Sequence, residues 1–416
     1  MKIASVNKTQ LLERFVQYVS IGTAANPATE EYPSSPGQLK LGRVLVDQLL
    51  ELGIADAHQD SFGLVWGTVP STVVHDTPTV LLNAHLDTSP EASGDGCNPQ
   101  VIVDYDGRAI SLLSGEVIDL ETTPELLQLL GHTLITTDGR TLLGGDDKAG
   151  VAAIMQAVQY WMENPTVAHG PIRILFTCDE EIGRGTLHFD LAKANALVGY
   201  TLDGGGAGTI DEETFSADGA TVTFRGRNTH PSVGKGKMIN AVRAAAMFIS
   251  LLPNNELSPE TTSDRQGFLH PYTIQGGVNE VQVQFILRDF ETERLSEYAA
   301  LLQTTADAVV ARFPGLIATV ETRAQYRNMA ETLRKSPKAI ELAERAYSDL
   351  GYDSRRDSIR GGTDGALMSA VGLPTPNLSV GQYNIHSMRE FASLDYMVQA
   401  TQHVVRLMEL WSQEKI

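Results

Sequence analysis

Cysteine is nearly absent from this 416-residue chain, where Cys97 and Cys178 are the only two. Two thiols supply neither a disulfide framework nor a cysteine-based zinc site. Positive charge is scarce as well, with 32 Lys and Arg against 51 Asp and Glu and a formal net charge of −19. That balance repels nucleic acid and anionic membranes, since both are bound by Lys and Arg meeting phosphate. It fits plain solubility, and it also fits carboxylates gathered around metal cations. No apolar run approaches the roughly 20 residues that cross a bilayer. Residues Met1 to Gln10 lack the apolar core and small-residue cleavage site of a secretory signal. These absences lead to the expectation of a cytoplasmic protein with no nucleic-acid or membrane partner. Internal repeats and low-complexity tracts are missing too.

What is present is an ordinary globular composition, 42% hydrophobic and 20% charged, on a chain long enough for two domains. Apolar residues at helical spacing predict helices over 9–21 and about 37–52, the second stopping before Gly53. Strand-like runs follow at 63–69 and 79–83, the latter nearly all apolar as a buried central strand should be. A turn-rich insertion spans roughly 88–140, and long ordered insertions tend to be functional. A helix over about 148–161 and strands over 172–177 and 198–202 continue the alternation. The first half therefore reads as α/β, a mixed, mostly parallel sheet with flanking helices. From Thr221 the order becomes strand, helix, strand, helix, strand, which suits a small inserted α+β sandwich over residues 213–325. The main domain is then 1–212 and 326–416, returning with helices at about 337–350 and 394–411 around a strand at 377–380.

Several short segments place metal-type side chains just after a strand, where ligands bind in open α/β sheets. Asn83-Ala84-His85-Leu86-Asp87-Thr88 sets a histidine two residues before an aspartate, so on an extended segment both share one face. His85 can bind a metal through one ring nitrogen while Asp87 accepts from the other; a purely structural pair reads equally from the same residues. Gly144-Gly145-Asp146-Asp147-Lys148 offers adjacent carboxylates at a helix start, as ligands or as N-caps. Asp179-Glu180-Glu181 after an apolar strand is tolerable as a solvated turn or around a cation, whose charge dominates its surroundings. Asp203 before three glycines, and His386 in a Gly/Asn-rich loop, are weak singly. In this order the set is a strong signal. Thr363, Ser379, Cys97 and Cys178 have no paired base in view, so nucleophilic catalysis is not expected.

With these runs, and with Asn228-Thr229-His230-Pro231, Arg288-Asp289-Phe290 and Ile359-Arg360-Gly361-Gly362-Thr363-Asp364-Gly365, the chain resembles the co-catalytic zinc peptidases of the aminoacylase/carboxypeptidase superfamily. Several runs are particular to its tripeptidase branch, and the resemblance covers nearly the whole chain. Gly145 and Cys178 stand where that branch leads us to expect alanine and proline.

The resemblance implies two zinc ions per subunit, one held by His85 and Asp203, the other by Glu181 and His386, with Asp146 bridging both. It implies Glu180 as general base, Asp87 as the residue orienting His85, and a cis peptide bond between Asp146 and Asp147. The inserted domain is then a lid and dimerisation domain, giving a homodimer. His230 would help stabilise the tetrahedral oxyanion, in its own or the neighbouring subunit's site. Arg288 would bind the peptide carboxylate, unless it pairs with Asp289 or a neighbouring acid. Asn240 and Arg360 are substrate-contact candidates, although an Asn opening a helix is also an ordinary cap. The function implied is removal of the N-terminal residue from tripeptides with a free N-terminus. A dipeptidase, carboxypeptidase or N-acyl amino-acid deacylase shares the ligand set and is the alternative. A non-catalytic peptide-binding protein is a third reading, and Glu180 argues against it.

Overall fold

The structure is a computed structural model that describes residues 4–94 and 96–415. The chain divides into two compact units, residues 1–212, 329–357 and 363–416 in the first, and residues 213–328 and 358–362 in the second.

In the first unit the strand Val80–His85 is buried along its whole length. Alternate side chains leave a strand on opposite faces: Val80, Leu82 and Ala84 enter one hydrophobic cluster, and Leu81 joins Trp66, Leu175 and Met368 in another. Burial on both faces explains why this run is apolar without alternation. The strand runs parallel to Ile172–Thr177 on one side and Val198–Gly205 on the other, with Val80 opposite both Ile172 and Val198. Asn377–Tyr383 continues the parallel series beside Val198–Gly205. Antiparallel strands complete a mixed sheet, Val65–Val69 at one side, then Phe391–Ser393 and Leu134–Thr136 at the other.

The helix Gly145–Glu163 packs on the central strands and is buried nearly all round, because Lys8–Val19 and Leu394–Trp411 cover it. Its first residues are not helical: Asp146 and Asp147 have ψ of 103° and 32°, and regular bonding begins where Lys148 N donates to the Gly144 carbonyl. The 88–140 insertion carries its own small core of Tyr105, Ile118, Leu126 and Leu129 against Phe391. No helix among the described residues is long and apolar enough to cross a membrane.

The second unit is a four-stranded antiparallel sheet in the order Phe268–Gly276, Glu280–Asp289, Ser216–Arg225, Ile317–Tyr326. Val281, Val283, Phe285 and Leu287 alternate into a core shared with Phe248 and Leu302 of the helices Ala241–Leu251 and Thr292–Arg312. The strand Phe268–Gly276 has no counterpart in the sequence reading. His270-Pro271 interrupts its apolar pattern, and it lies at the sheet edge, where proline is tolerated, with a register shift after Pro271. The sequence reading ended the inserted domain at 325; the unit extends to Asn328 and takes in Ser358–Gly362. The strand Ile317–Tyr326 carries it past 325, and Phe215 N donates to the Ile359 carbonyl.

His403, on Leu394–Trp411, is buried, stacks on Tyr347 at 3.5 Å between ring centroids and donates Nε2–H to the Ala343 carbonyl at 2.9 Å. Burial lowers its imidazole to about 4, the Ala343 carbonyl offsetting only part of that. The unfolded chain, with an ordinary histidine near 6.5, therefore binds the extra proton between about pH 6.5 and 4. Stability from this neutral ring is complete above pH 6.5 and is lost as pH falls through that window. Between pH 7 and 5 the wild type should lose about 2 kcal/mol more than His403→Gln, measured by denaturant unfolding at both pH values. Equal losses would remove His403 from the explanation.

Candidate metal centre

The parallel strands of the first unit end together, and the site is built on those ends. His85 is the last residue of Val80–His85, opposite Thr177 at the end of Ile172–Thr177. Its Nδ1 lies 3.1 Å from the Asp87 backbone carbonyl and 3.4 Å from the Asp87 carboxylate. A carbonyl can only accept, so Nδ1 carries a hydrogen, and Nε2 is the nitrogen that can hold a cation once its own proton leaves. That Nε2 faces Asp146 Oδ1 at 3.0 Å and Asp203 Oδ1 at 3.7 Å.

Asp87 does more than orient His85. Its two carboxylate oxygens accept the backbone N–H groups of Glu180 and Glu181, each at 3.0 Å. Asp179, left-handed at φ 60°, is anchored from below by Ser34 N and Gln38 Nε2, which donate to its carboxylate. Glu180 and Glu181 thus start a short turn with their backbone fixed from both sides.

Asp146 and Asp147 are joined by a cis peptide bond. Their roles divide. Asp147 is fully buried, and its oxygens accept from His85 N and Gly150 N, so it braces the strand end against the helix start. Asp146 instead directs its carboxylate outward, Oδ1 to His85 and Oδ2 to His386 Nε2 at 3.3 Å. His386, itself at φ 60°, also places Nε2 3.0 Å from Glu181 Oε2 and Nδ1 3.3 Å from Glu91. Asp203 is held at the end of its strand by Asn377, which accepts from its N–H, and Gln382, which donates to its carboxylate.

One carboxylate thus lies between two half-sites, His85 with Asp203 and His386 with Glu181. Ligand atoms of His85, Asp146 and Glu181 lie within 4.8 Å of one another, as do those of His85, Asp147 and Asp203. Asp147 is the less suitable of these, because its oxygens already accept backbone N–H groups. The residues fit cations on a further ground: Glu181 Oε1 is buried with no hydrogen-bond partner among the described residues. Electrostatics agree. Burial, then the charge of Asp146, pushes the Glu181 carboxyl up to about 8, and the same two causes raise Asp203 to about 6. Burial and the charges of Asp203, Asp364 and Glu181 lift Glu180 well above the usual range, against the pull of His85. Burial alone would lower His386, but hydrogen bonds to Asp146 and Glu181 outweigh it and carry the imidazole to about 11. Without cations the cluster holds protons in their place.

Three residues at this centre have roles that the motifs did not disclose. Asp364, in the run Ile359 to Gly365, is buried and accepts from Thr177 Oγ1. Lys148 is buried, its Nζ donating to the Ile21 carbonyl at 2.8 Å. Glu390 accepts from the N–H groups of Gly144 and Asp146. No spacing rule points to Glu390, because it joins segments about 245 residues apart.

The other candidates lie in the second unit. His230 is exposed, its Nδ1 2.7 Å from Ser232 Oγ. Asn240 caps the helix Ala241–Leu251, its side chain accepting from Val242 N and Arg243 N. Arg288 does not pair with its neighbour Asp289, which is held by Tyr298 Oη and Arg294. Its guanidinium sits over the Tyr326 ring, and its buried Nε has no partner among the described residues. Arg360 donates to the carbonyls of Asp264 and Gln266 and to Thr262, and its guanidinium stacks on Phe215 and Phe268. These contacts secure the 262–266 segment.

A model of peptidase family M20/M25/M40 matches residues 131–410. A peptidase T from Geobacillus thermodenitrificans is 41% identical over 409 residues, 98% of this chain and 99% of that relative. A tripeptidase structure from Staphylococcus aureus matches with a TM-score of 0.79 at 21% identity, covering 98% of this chain and 100% of that one. A dinuclear metal-binding peptidase structure of the M20 family from Bacillus subtilis matches at 0.66 and 15% identity, covering 97% of this chain and 98% of that one. At these identities the two structures speak to the fold alone.

Glu181 and His386 titrate at about 8 and about 11 without metal, and His85, which burial alone would lower, is raised well above its ordinary value by hydrogen bonds to Asp146, Asp203 and Asp87. All three carry these protons at pH 7, and cations must displace them. Loading the metal-free protein with zinc at pH 7 should release about three protons. Calorimetric titration in two buffers of different ionisation enthalpy measures that number. Heats that do not change with the buffer would contradict it.

Proposed function

The chain belongs to peptidase family M20/M25/M40, and from that membership we propose an aminopeptidase that removes the N-terminal residue from short peptides, tripeptides foremost. The observation that carries this reading is the Asp146 carboxylate, one oxygen toward His85 and the other toward His386, with Glu180 fixed beside them. The tripeptide preference rests on the 41% identity to a full-length peptidase T.

In this reading His85 and Asp203 hold one divalent cation, Glu181 and His386 a second, and Asp146 both. Imidazole and carboxylate donors suit zinc. When bound, such a pair supplies Lewis acidity, polarising the scissile carbonyl and acidifying a water. Glu180 takes the proton of the attacking water on its carboxylate and delivers it to the departing amine. Burial raises its carboxyl well above the usual range, which makes its carboxylate a stronger proton acceptor. Glu181, its neighbour, is turned toward His386 and Asp146 instead. Asp87 keeps the two glutamates in these separate roles by gripping both of their N–H groups.

His230 and Arg288 are assigned to the substrate, the first to the oxyanion and the second to the peptide carboxylate. The buried Nε of Arg288, without a partner among the described residues, supports its assignment. Asn240 and Arg360, which also cap a helix and secure a loop, are the further substrate contacts in this reading. A cytoplasmic homodimer joined through the second unit completes the reading; this part rests on the resemblance.

The test is release of the N-terminal residue from a free tripeptide, with metal content measured on wild type and Glu180→Ala. The wild type should cleave free tripeptides and leave N-blocked ones intact. Glu180→Ala should lose about 10²–10⁴-fold in rate while keeping its metal. A fully loaded wild type that spares free tripeptides but hydrolyses acylated amino acids would make it the related deacylase instead.

A further inference from the structure

Glu390 is buried, and nothing in the reaction above uses it. Its Oε2 accepts from Gly144 N at 2.8 Å and its Oε1 from Asp146 N at 3.0 Å. These N–H groups need an outside acceptor. They precede the point where helical bonding starts, and the first donors of a helix have no partner within it. Gly144 is left-handed at φ 76° and Asp146 has non-helical angles, so the turn is shaped by something other than the helix.

The choice of side chain is informative. A buried carboxylate beside Asp146 adds like charge to a cluster already crowded with acids, and burial together with Asp146 disfavours its ionised form. Glutamine would fill the same space without that charge. Only an ionised carboxylate, however, offers acceptors at both ends, since an amide turns one end into a donor facing an N–H. The fit is close: a Cβ on Gly145 would stand 3.1 Å from Glu390 Oε1. That is a local reason for glycine at the position where the resemblance suggests alanine.

Glu390 also reaches the other half-site. Its own N–H donates to the Ser387 carbonyl at 3.1 Å, which folds the loop bearing His386 back toward it. The strand Phe391–Ser393 then pins it in the sheet between Gln382 and Tyr383 on one side and Leu134–Thr136 on the other. One side chain therefore ties the turn of Asp146 to the loop of His386.

We propose that Glu390 is a positioning residue for the bridging carboxylate, its two oxygens fixing the Gly144–Asp146 backbone so that Asp146 presents one oxygen to each cation. This rests on the metal reading above. Outer partners of this kind affect metal affinity about 10–100-fold. Glu390→Gln keeps the volume and loses one acceptor; Glu390→Asp keeps both acceptors but draws them back by one methylene.

The experiment titrates cobalt(II) into each metal-free protein at low temperature, where circular dichroism verifies the fold, and follows the visible spectrum. It then measures kcat and KM for a tripeptide at saturating metal. His403→Gln, altered far from this turn, is the control for general destabilisation. Glu390→Gln should bind cobalt about 10–100-fold more weakly with a changed spectrum, and should lower kcat with KM unmoved, while the control keeps wild-type affinity. If Glu390→Gln does not fold, the same loss of affinity is expected of Glu390→Asp. Wild-type affinity, spectrum and kcat in a folded Glu390 variant would overturn the proposal. A wild type that binds no cobalt overturns the metal reading itself, and this inference with it.

Discussion

Acids crowded below the surface at the ends of the parallel strands set the terms for the rest of this structure. Asp146, Asp147, Asp203 and Asp364 are each buried or nearly so, with Glu180 and Glu181 beside them. Burial first and the charges of neighbouring acids second raise all of these carboxyls except Asp146, which hydrogen bonds to His386 and His85 hold down. Like charges stay together in a low-dielectric interior when protons or cations neutralise them, or when N–H groups solvate them. Both solutions are in use here, on different residues.

The division between them organises the centre. Asp87, Asp147, Asp179 and Glu390 accept backbone N–H groups and hold segments of chain in place. Asp146, Glu181 and Asp203 turn toward His85 and His386. The acids of the first set fix the positions from which the second can act. Close neighbours fall on opposite sides of this line, Asp146 from the adjacent Asp147 and Asp179 from Glu181 two residues on. Residue type therefore does not reveal which role an acid has. The direction of its side chain does.

The second unit sets two arginines in contrasting surroundings. Arg288 and Arg360 have the same functional group, yet Arg360 donates to backbone carbonyls whereas Arg288 keeps a buried Nε without a partner among the described residues. Alternation along Glu280–Asp289 explains the contrast with Asp289, whose side chain leaves the strand on the other face and meets Tyr298 and Arg294.

The main elements were legible because they depend on local pattern. The unbroken apolar run before His85, the strand Ile172–Thr177 and the helix Leu394–Trp411 all lie close to where periodicity and flanking residues put them. The edge strand Phe268–Gly276 was not legible, since its proline and polar residues are acceptable only where one side of the strand lacks a neighbour. Similarly, the sequence by itself determined which acids and histidines follow strands, because a motif of two to eight residues is a local object. Tertiary structure alone decided what each does. Glu390 accepts from Asp146 N across 244 residues of chain, and the two oxygens of Asp146 face histidines 61 and 240 residues away in opposite directions along it. Contacts between strand ends are set by sheet order and by the packing of helices on both faces, which no short stretch of sequence contains.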